Sequence, residues 1–432
     1  MSKFQVILTA VFVVCIVGGV IAFATFRGGS AKDELPAITI WGTYPSSSFD
    51  AYINKINQTR AEALKITYVK VEETNFDKKF IEALARGQGP DAILIPQDYV
   101  YKYEDKIIPI PYEALSERSF RDTFIQQAEL YLGKNGVLAL PFIEDPLIMY
   151  WNRDTFTNAG IAIPPKYWDE FTEINKKITK KDVNSNIKRS AIALGEFNNI
   201  VHAREILGTI LMQYGNPVTF RDKDYLIASA LGDQGYSGSN SSIKALDFFT
   251  QFSNPSNENY SWNRSLTNTK NSFLSGNLAT YFGFASEISE IKGKNPNLDF
   301  DVTAFPQIRN SSGRVVYGNM YGISIVRSAA NVNATYTILS SLIEASSLNT
   351  LVSMTYLPSV RRDIIASGST DPYLSIFNNS ALVSRNWLDI GRIDSNKILQ
   401  NITELITSGR KNAREAIQSG SEEFNILLNR NE

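Results

Sequence analysis

The stretch ALPFIEDPLIMYWNRDTFTNAGIAIPPKYWDEFTEINKKIT, Ala139 to Thr179, constrains the fold more than any other part of this 432-residue chain. Leu147 to Trp151 is an apolar run of strand length. The turn Asn152-Arg153-Asp154 follows it, with Asp154 placed to cap a short helix over Thr155 to Ala159 that Gly160 ends. Pro164-Pro165 then forces an extended approach to a second helix, on which Trp168, Phe171, Ile174 and Ile178 recur near helical spacing. This is the order expected of a strand that leaves one packing unit and delivers the chain to another.

Two units are expected from length as well, because a chain of 432 residues exceeds what one hydrophobic core usually serves. Lys plus Arg number 43 against 44 for Asp plus Glu, a formal charge of -1 that gives no electrostatic footing for nucleic acid. One His and one Cys rule out a Cys/His zinc cluster and an internal disulfide, and leave only His202 for imidazole catalysis. His202 stands in NNIVHAREIL among helix-forming residues, which predicts a surface or packing role.

Cys15 lies within the apolar run Phe4 to Phe26, about 34 Å long as a helix and sufficient to cross a bilayer. A lipidated cysteine would need a small residue just before it, whereas Val13-Val14 precede Cys15. Ala22-Phe23-Ala24 fits a signal cleavage site before Thr25, but the run is longer than a usual signal core, so an uncleaved anchor is favoured. The chain accordingly divides into an anchor over residues 1–27, a small polar linker over 28–35 and a folded part over 36–432.

Ala37 to Trp41 and Ile66 to Val71 read as strands flanking a helix faced by Phe49, Tyr52, Ile53, Ile56, Ala63 and Leu64, a βαβ unit. A helix carrying Phe80 and Leu84 stops at Gly87 and leads through Gly89-Pro90-Asp91 into the buried strand Ala92 to Ile95. Tyr99, Tyr101 and Tyr103 alternate as in a half-buried strand, a pattern that suits a strand better than a tyrosinate metal site. Residues 182–271 read as helical with polar loops and little chemistry, and Gly232 to Ser242 as an exposed loop.

The opening stretch resembles the extracellular solute-binding proteins of ABC importers, the large sugar-binding branch in particular, whose pattern here is roughly L-P-x-x-x-D/E-x-x-x-x-Y-N-K-D-x-F-x-x-A-G-[hydrophobic]-x-x-P-P-x-T-W-D-E-F. Tyr167 stands where the family has a Ser or Thr cap, and Trp151 where it has Tyr. The runs ALARGQGPDAILI, Phe273 to Phe284, Ala304-Phe305-Pro306, Tyr317 to Val326 (a Gly-rich strand pair) and Tyr356 to Asp363 are similar to further family segments. The resemblance covers about 37–432. It implies a periplasmic-binding-protein type II-like α/β fold with two lobes, interlobe crossovers and a central cleft. Lobe one would hold about 36–142 and 305–345, lobe two about 146–300 and 346–432.

In open α/β sheets, ligands lie beyond the carboxyl ends of the strands, which places Tyr44 and Ser46 after the first strand and Asp98 after the third on one cleft with Asp145. Asp98 serves equally well as a helix cap before Tyr99. The resemblance puts Asp145 and Asp98 at the family's sugar-contacting acids and Phe284 and Trp387 at or near its stacking aromatics. What it implies is a monomeric receptor without enzymatic activity, metal or cofactor. Such a receptor captures a carbohydrate or other polyhydroxyl solute by hinge closure and passes it to ABC permease subunits at the outer face of the cytoplasmic membrane. Secretion or periplasmic release after signal cleavage is the alternative location. A carbohydrate-active enzyme using paired carboxylates such as Glu144-Asp145 and a sensor ectodomain of the same fold are the alternative functions.

Overall fold

The computed structural model describes residues 35–221, 227–232, 240–311, 313–389 and 391–428. The anchor expected over Phe4 to Phe26, the linker as far as residue 34 and most of the loop after Gly232 lie outside the described residues. Among the described residues no helix is long and apolar enough to cross a membrane.

Eight strands form the main sheet: β1 (Ile38–Gly42), β2 (Ile66–Lys70), β3 (Ala92–Pro96), β4 (Leu140–Asn152), β5 (Thr280–Phe284), β6 (Phe300–Ala304), β7 (Val316–Ile325) and β8 (Ser384–Arg385). β1 pairs in parallel with β2 and β3, as a βαβ unit requires. β3 is buried at all five positions, which is why it reads as an unbroken apolar run. The helix Ser46–Asn57 turns Phe49, Tyr52, Ile53 and Ile56 inward as their spacing predicts, but it ends before Ala63 and Leu64, the other two residues expected on the same face.

Two strands carry the chain between lobes. β4 is 13 residues long; Leu140 to Pro146 pair with β7, whereas Leu147 to Trp151 pair with β5 and Ile148 to Asn152 with β6. β7 runs back antiparallel to β4, pairing antiparallel with β3 through Tyr321 to Ile325 and in parallel with β8 through Val316 and Tyr317. The Gly-rich segment expected as a strand pair is thus one continuous strand. The short helix after β4 spans Arg153–Asn158 and is capped by Asn152, whose side chain accepts from Thr155 N–H, so the cap is Asn152 rather than Asp154.

The tyrosine triplet is not a strand. It starts on the 3-10 turn Gln97–Tyr99, and Tyr99 and Tyr103 stack at 6.2 Å while their hydroxyls donate to Glu73 and Asp77. A one-turn spacing brings two rings to the same side of helical backbone, which a period-two reading alone mistakes for a strand. Trp168 is core, 4 % exposed among Phe171, Phe248, Phe282 and Phe305, with its indole N–H donating to Gln213.

Candidate functional site

Neighbouring side chains on a strand point to opposite faces, so Glu144 and Asp145 part company where β4 crosses between lobes. Asp145 turns to the side of Ser286, whose backbone N–H donates to Oδ1 at 3.0 Å. Burial pushes the Asp145 carboxyl up to about 7 against the pull of the Ser286 bonds. Tyr44, half-buried, sets its ring edge-on to Tyr321 at 5.6 Å; burial first and Asp145 second raise its phenol to about 12. Phe284 ends β5, 7 % exposed, with the His202 ring edge-on at 4.7 Å and Tyr317 at 6.2 Å.

Glu144 lies on the other face, fully buried, with neither carboxyl oxygen hydrogen-bonded. Burial pushes it up to about 8, with the nearby Ser384 hydroxyl pulling the other way. A neutral acid here avoids the large cost of an unpaired buried charge. Gly318 on β7 faces it: a Cβ there would run into Glu144 Oε1 and Gln127 Oε1 and come within 2.8 Å of Ser384 Oγ. Two adjacent acids on opposite faces of one strand do not flank a common glycosidic bond, so Glu144 and Asp145 do not form a carboxylate pair of the kind that glycoside cleavage uses.

Asp98 does not cap a helix, and its carboxylate is fully engaged by arginines. Arg204 Nη2 lies 3.2 Å from Oδ1 and Arg392 2.8 Å from Oδ2, with Asp98 fully buried. Burial would raise the Asp98 carboxyl, but the two guanidiniums outweigh it and hold the group below the usual carboxylate range. Arg204, 1 % exposed on the helix Ala203–Gln213, also reaches Asp389, Glu205 Oε1 at 3.0 Å, Tyr317 Oη at 3.1 Å and Ser395 Oγ at 2.9 Å. Its guanidinium lies 4.6 Å from the Trp387 ring centre. Trp387, expected as an open stacking platform, is 1 % exposed, with one face covered by that guanidinium and an edge against Gly208. A cavity of about 390 Å³ borders it, lined also by Gln127, Glu129, Phe220 and Arg385.

The fold therefore joins Asp98, Phe284 and Trp387 through Tyr317 and Arg204, and brings Tyr44 into electrostatic range of Asp145. Ser46 stands apart, half-buried in the first turn of its helix. Sequence reasoning passed over Arg204, Arg392, Tyr317 and Glu287, and gave His202 a passive role. His202 Nε2 lies 2.6 Å from Glu287 Oε1, Lys270 Nζ 2.6 Å from Oε2, and together they outweigh burial and bring Glu287 down to about 2. A local signal for Arg204 exists: it is the single cation of AREILGTILMQ, and a cation in so apolar a helix calls for a buried acid. Arg392 carries no such signal. Among the described residues no group of His, Cys, Asp and Glu is placed to hold a metal ion.

A comparison of the sequence with curated proteins gives no match. Among solved structures, CpMnBP1 with mannotriose bound is 17 % identical with TM-score 0.68, over 90 % of this chain and 99 % of that one. A cyclo/maltodextrin-binding protein complexed with maltotetraose is 11 % identical with TM-score 0.71, over 91 % and 96 %. UgpB from Mycobacterium tuberculosis in complex with glycerophosphocholine is 16 % identical with TM-score 0.69, over 91 % and 99 %. Likenesses at this identity speak for the two-lobe α/β fold. The family model described as bacterial extracellular solute-binding protein matches residues 42–339, and the chain belongs to that family.

Proposed function

We propose that this chain is the external receptor of an ABC importer, capturing a carbohydrate or similar polyhydroxyl solute between its lobes and releasing it unchanged to a membrane permease. The observation that carries the reading is the double crossing of β4 and β7, with Asp145 at the crossing and an aromatic flank of Tyr44, Tyr321 and Phe284. A carboxylate accepts hydroxyls while rings cover the apolar face of a sugar, and closure brings both lobes to the solute. The sugars held by CpMnBP1 and the cyclo/maltodextrin-binding protein support this ligand class.

Asp145, Tyr44 and Phe284 are the proposed direct contacts, with Ser46 at the rim. Asp98 and Trp387 act through Arg204 and Arg392 rather than as open contacts. The second crossing is proposed to divide the lobes later than residue 346, because the helix Ala345–Thr355 borders Phe142 and Ile143, on the half of β4 that pairs with β7. Phe4 to Phe26 is proposed to tether a monomeric receptor to the outer face of the cytoplasmic membrane, keeping it concentrated near its permease.

A thermal-shift screen over sugars tests the reading. A solute at 100 times its dissociation constant adds about 2.7 kcal/mol of stability, and the solute should be recovered intact. Cleaved glycan, or no shift with any polyhydroxyl compound, overturns it.

A further inference from the structure

Asp98 follows β3 in the first lobe, whereas Arg204 and Arg392 begin helices of the second, Ala203–Gln213 and Arg392–Thr407. We propose that Arg204, Arg392 and Asp98 form an ionic clamp that draws the lobes together by protein contacts alone, so that the receptor samples its closed form without solute. Every contact of the clamp is between side chains of this chain, so none of its attraction depends on what lies in the cleft.

The way Arg204 is held makes the clamp reversible. Within its own lobe it keeps Asp389, Glu205 and Ser395, so its charge stays compensated when the lobes part. The ion pair that opening breaks is the one to Asp98, which passes from full burial into water, while Tyr317, whose hydroxyl also accepts from Arg204, lies on the crossing strand itself. Arg392 is braced differently: its Nη2 donates to Asn319 Oδ1 at 2.7 Å on the crossing strand β7, and its Nε to Asp98 at 2.8 Å. Both Asp98 oxygens are consequently taken, each by a cation from across the cleft. Burial leaves little water or salt to screen these pairs, and although closure also strips water from the charges, the lowered Asp98 carboxyl shows that the two guanidiniums outweigh that cost. The inference goes beyond the identity of the solute and holds whichever compound the cleft accepts.

The test places spin labels on the full chain carrying Cys15→Ser, Lys78→Cys on the exposed face of the helix Glu73–Ala85 and Val183→Cys at a position 99 % exposed in the other lobe. Distances are measured by double electron–electron resonance with no sugar added. The expected result is a dominant short interlobe distance that Arg392→Gln shifts to a longer one, with the closed-to-open ratio falling about 30-fold or more. Arg392 is 23 % exposed, so the glutamine is tolerated better than a change at Arg204. Asp98→Asn serves as the second variant and should give the same shift, with folding checked by circular dichroism. A long distance in the unsubstituted protein, or distances that neither variant changes, overturns the clamp. Because no solute enters the measurement, that failure is separate from failure of the solute-binding reading.

Discussion

Arg204→Met is the sharpest perturbation of this molecule, because methionine keeps most of the apolar volume while deleting the charge that Asp98 and Asp389, both fully buried, share. Removing one partner of a buried ion pair costs about 3–5 kcal/mol, since the partner charge is left without compensation. Unfolding entropy near 60 °C is about 2.1 cal/mol/K per residue, so a folded part of roughly 400 residues carries about 0.8 kcal/mol/K, and the melting temperature should fall by about 4–6 °C. The loss has a pH signature. Burial raises the Asp389 carboxyl even with Arg204 pulling it down, and Asp389 stays buried in the same lobe, so in the variant it is raised further. A group raised in the folded state contributes stability that is present at low pH and lost as pH rises through the folded value, so the penalty of the variant is largest near pH 7 and shrinks toward pH 4. Differential scanning calorimetry at both pH values checks this. A fall of less than about 1 °C at pH 7, or one equal at both pH values, refutes the account of Arg204 as the hub of a buried charge network.

Asp145→Ala should weaken solute binding by about 1.5–3 kcal/mol in titration calorimetry, while the free protein melts at the same temperature or slightly higher at pH 8, because burial disfavours this carboxylate. Glu144, pushed up to about 8, makes stability decline as pH rises from the ordinary carboxylate range to about 8; Glu144→Gln should flatten that slope, and an unchanged slope in urea titrations across pH would show that Glu144 is not its source. Gly318→Ala drives a methyl into Glu144, Gln127 and Ser384 at the crossing and should cost about 1–3 kcal/mol or more, read as a lower urea midpoint at constant slope.

Much of the framework was legible because its causes are local. The strands β1 to β3, the inward face of the helix Ser46–Asn57 and the core position of Trp168 follow from apolar spacing and turn residues within a few positions of each other. The same reasoning erred where two periods compete within a short window. Tyr99 to Tyr103 alternate by two, yet four residues also make one helical turn, and the acids of the helix Glu73–Ala85 decided between them by accepting the two hydroxyls.

Asp98 marks the boundary between what the sequence alone determined and what the tertiary structure decided. Its place after the third strand, at the cleft end of the sheet, was readable from the pattern of β3. Its partners were not: Arg204 lies 106 residues away and Arg392 294, and nothing local encodes a pairing over such distances. The same holds for Trp387, whose residue type suits a stacking platform until the path of the chain sets Arg204 against its face. Periodicity sets which side of an element a residue occupies, because that depends on backbone geometry repeated every few residues. Charge pairing and ring cover depend on which elements meet, and only the crossing of β4 and β7 brings those elements together.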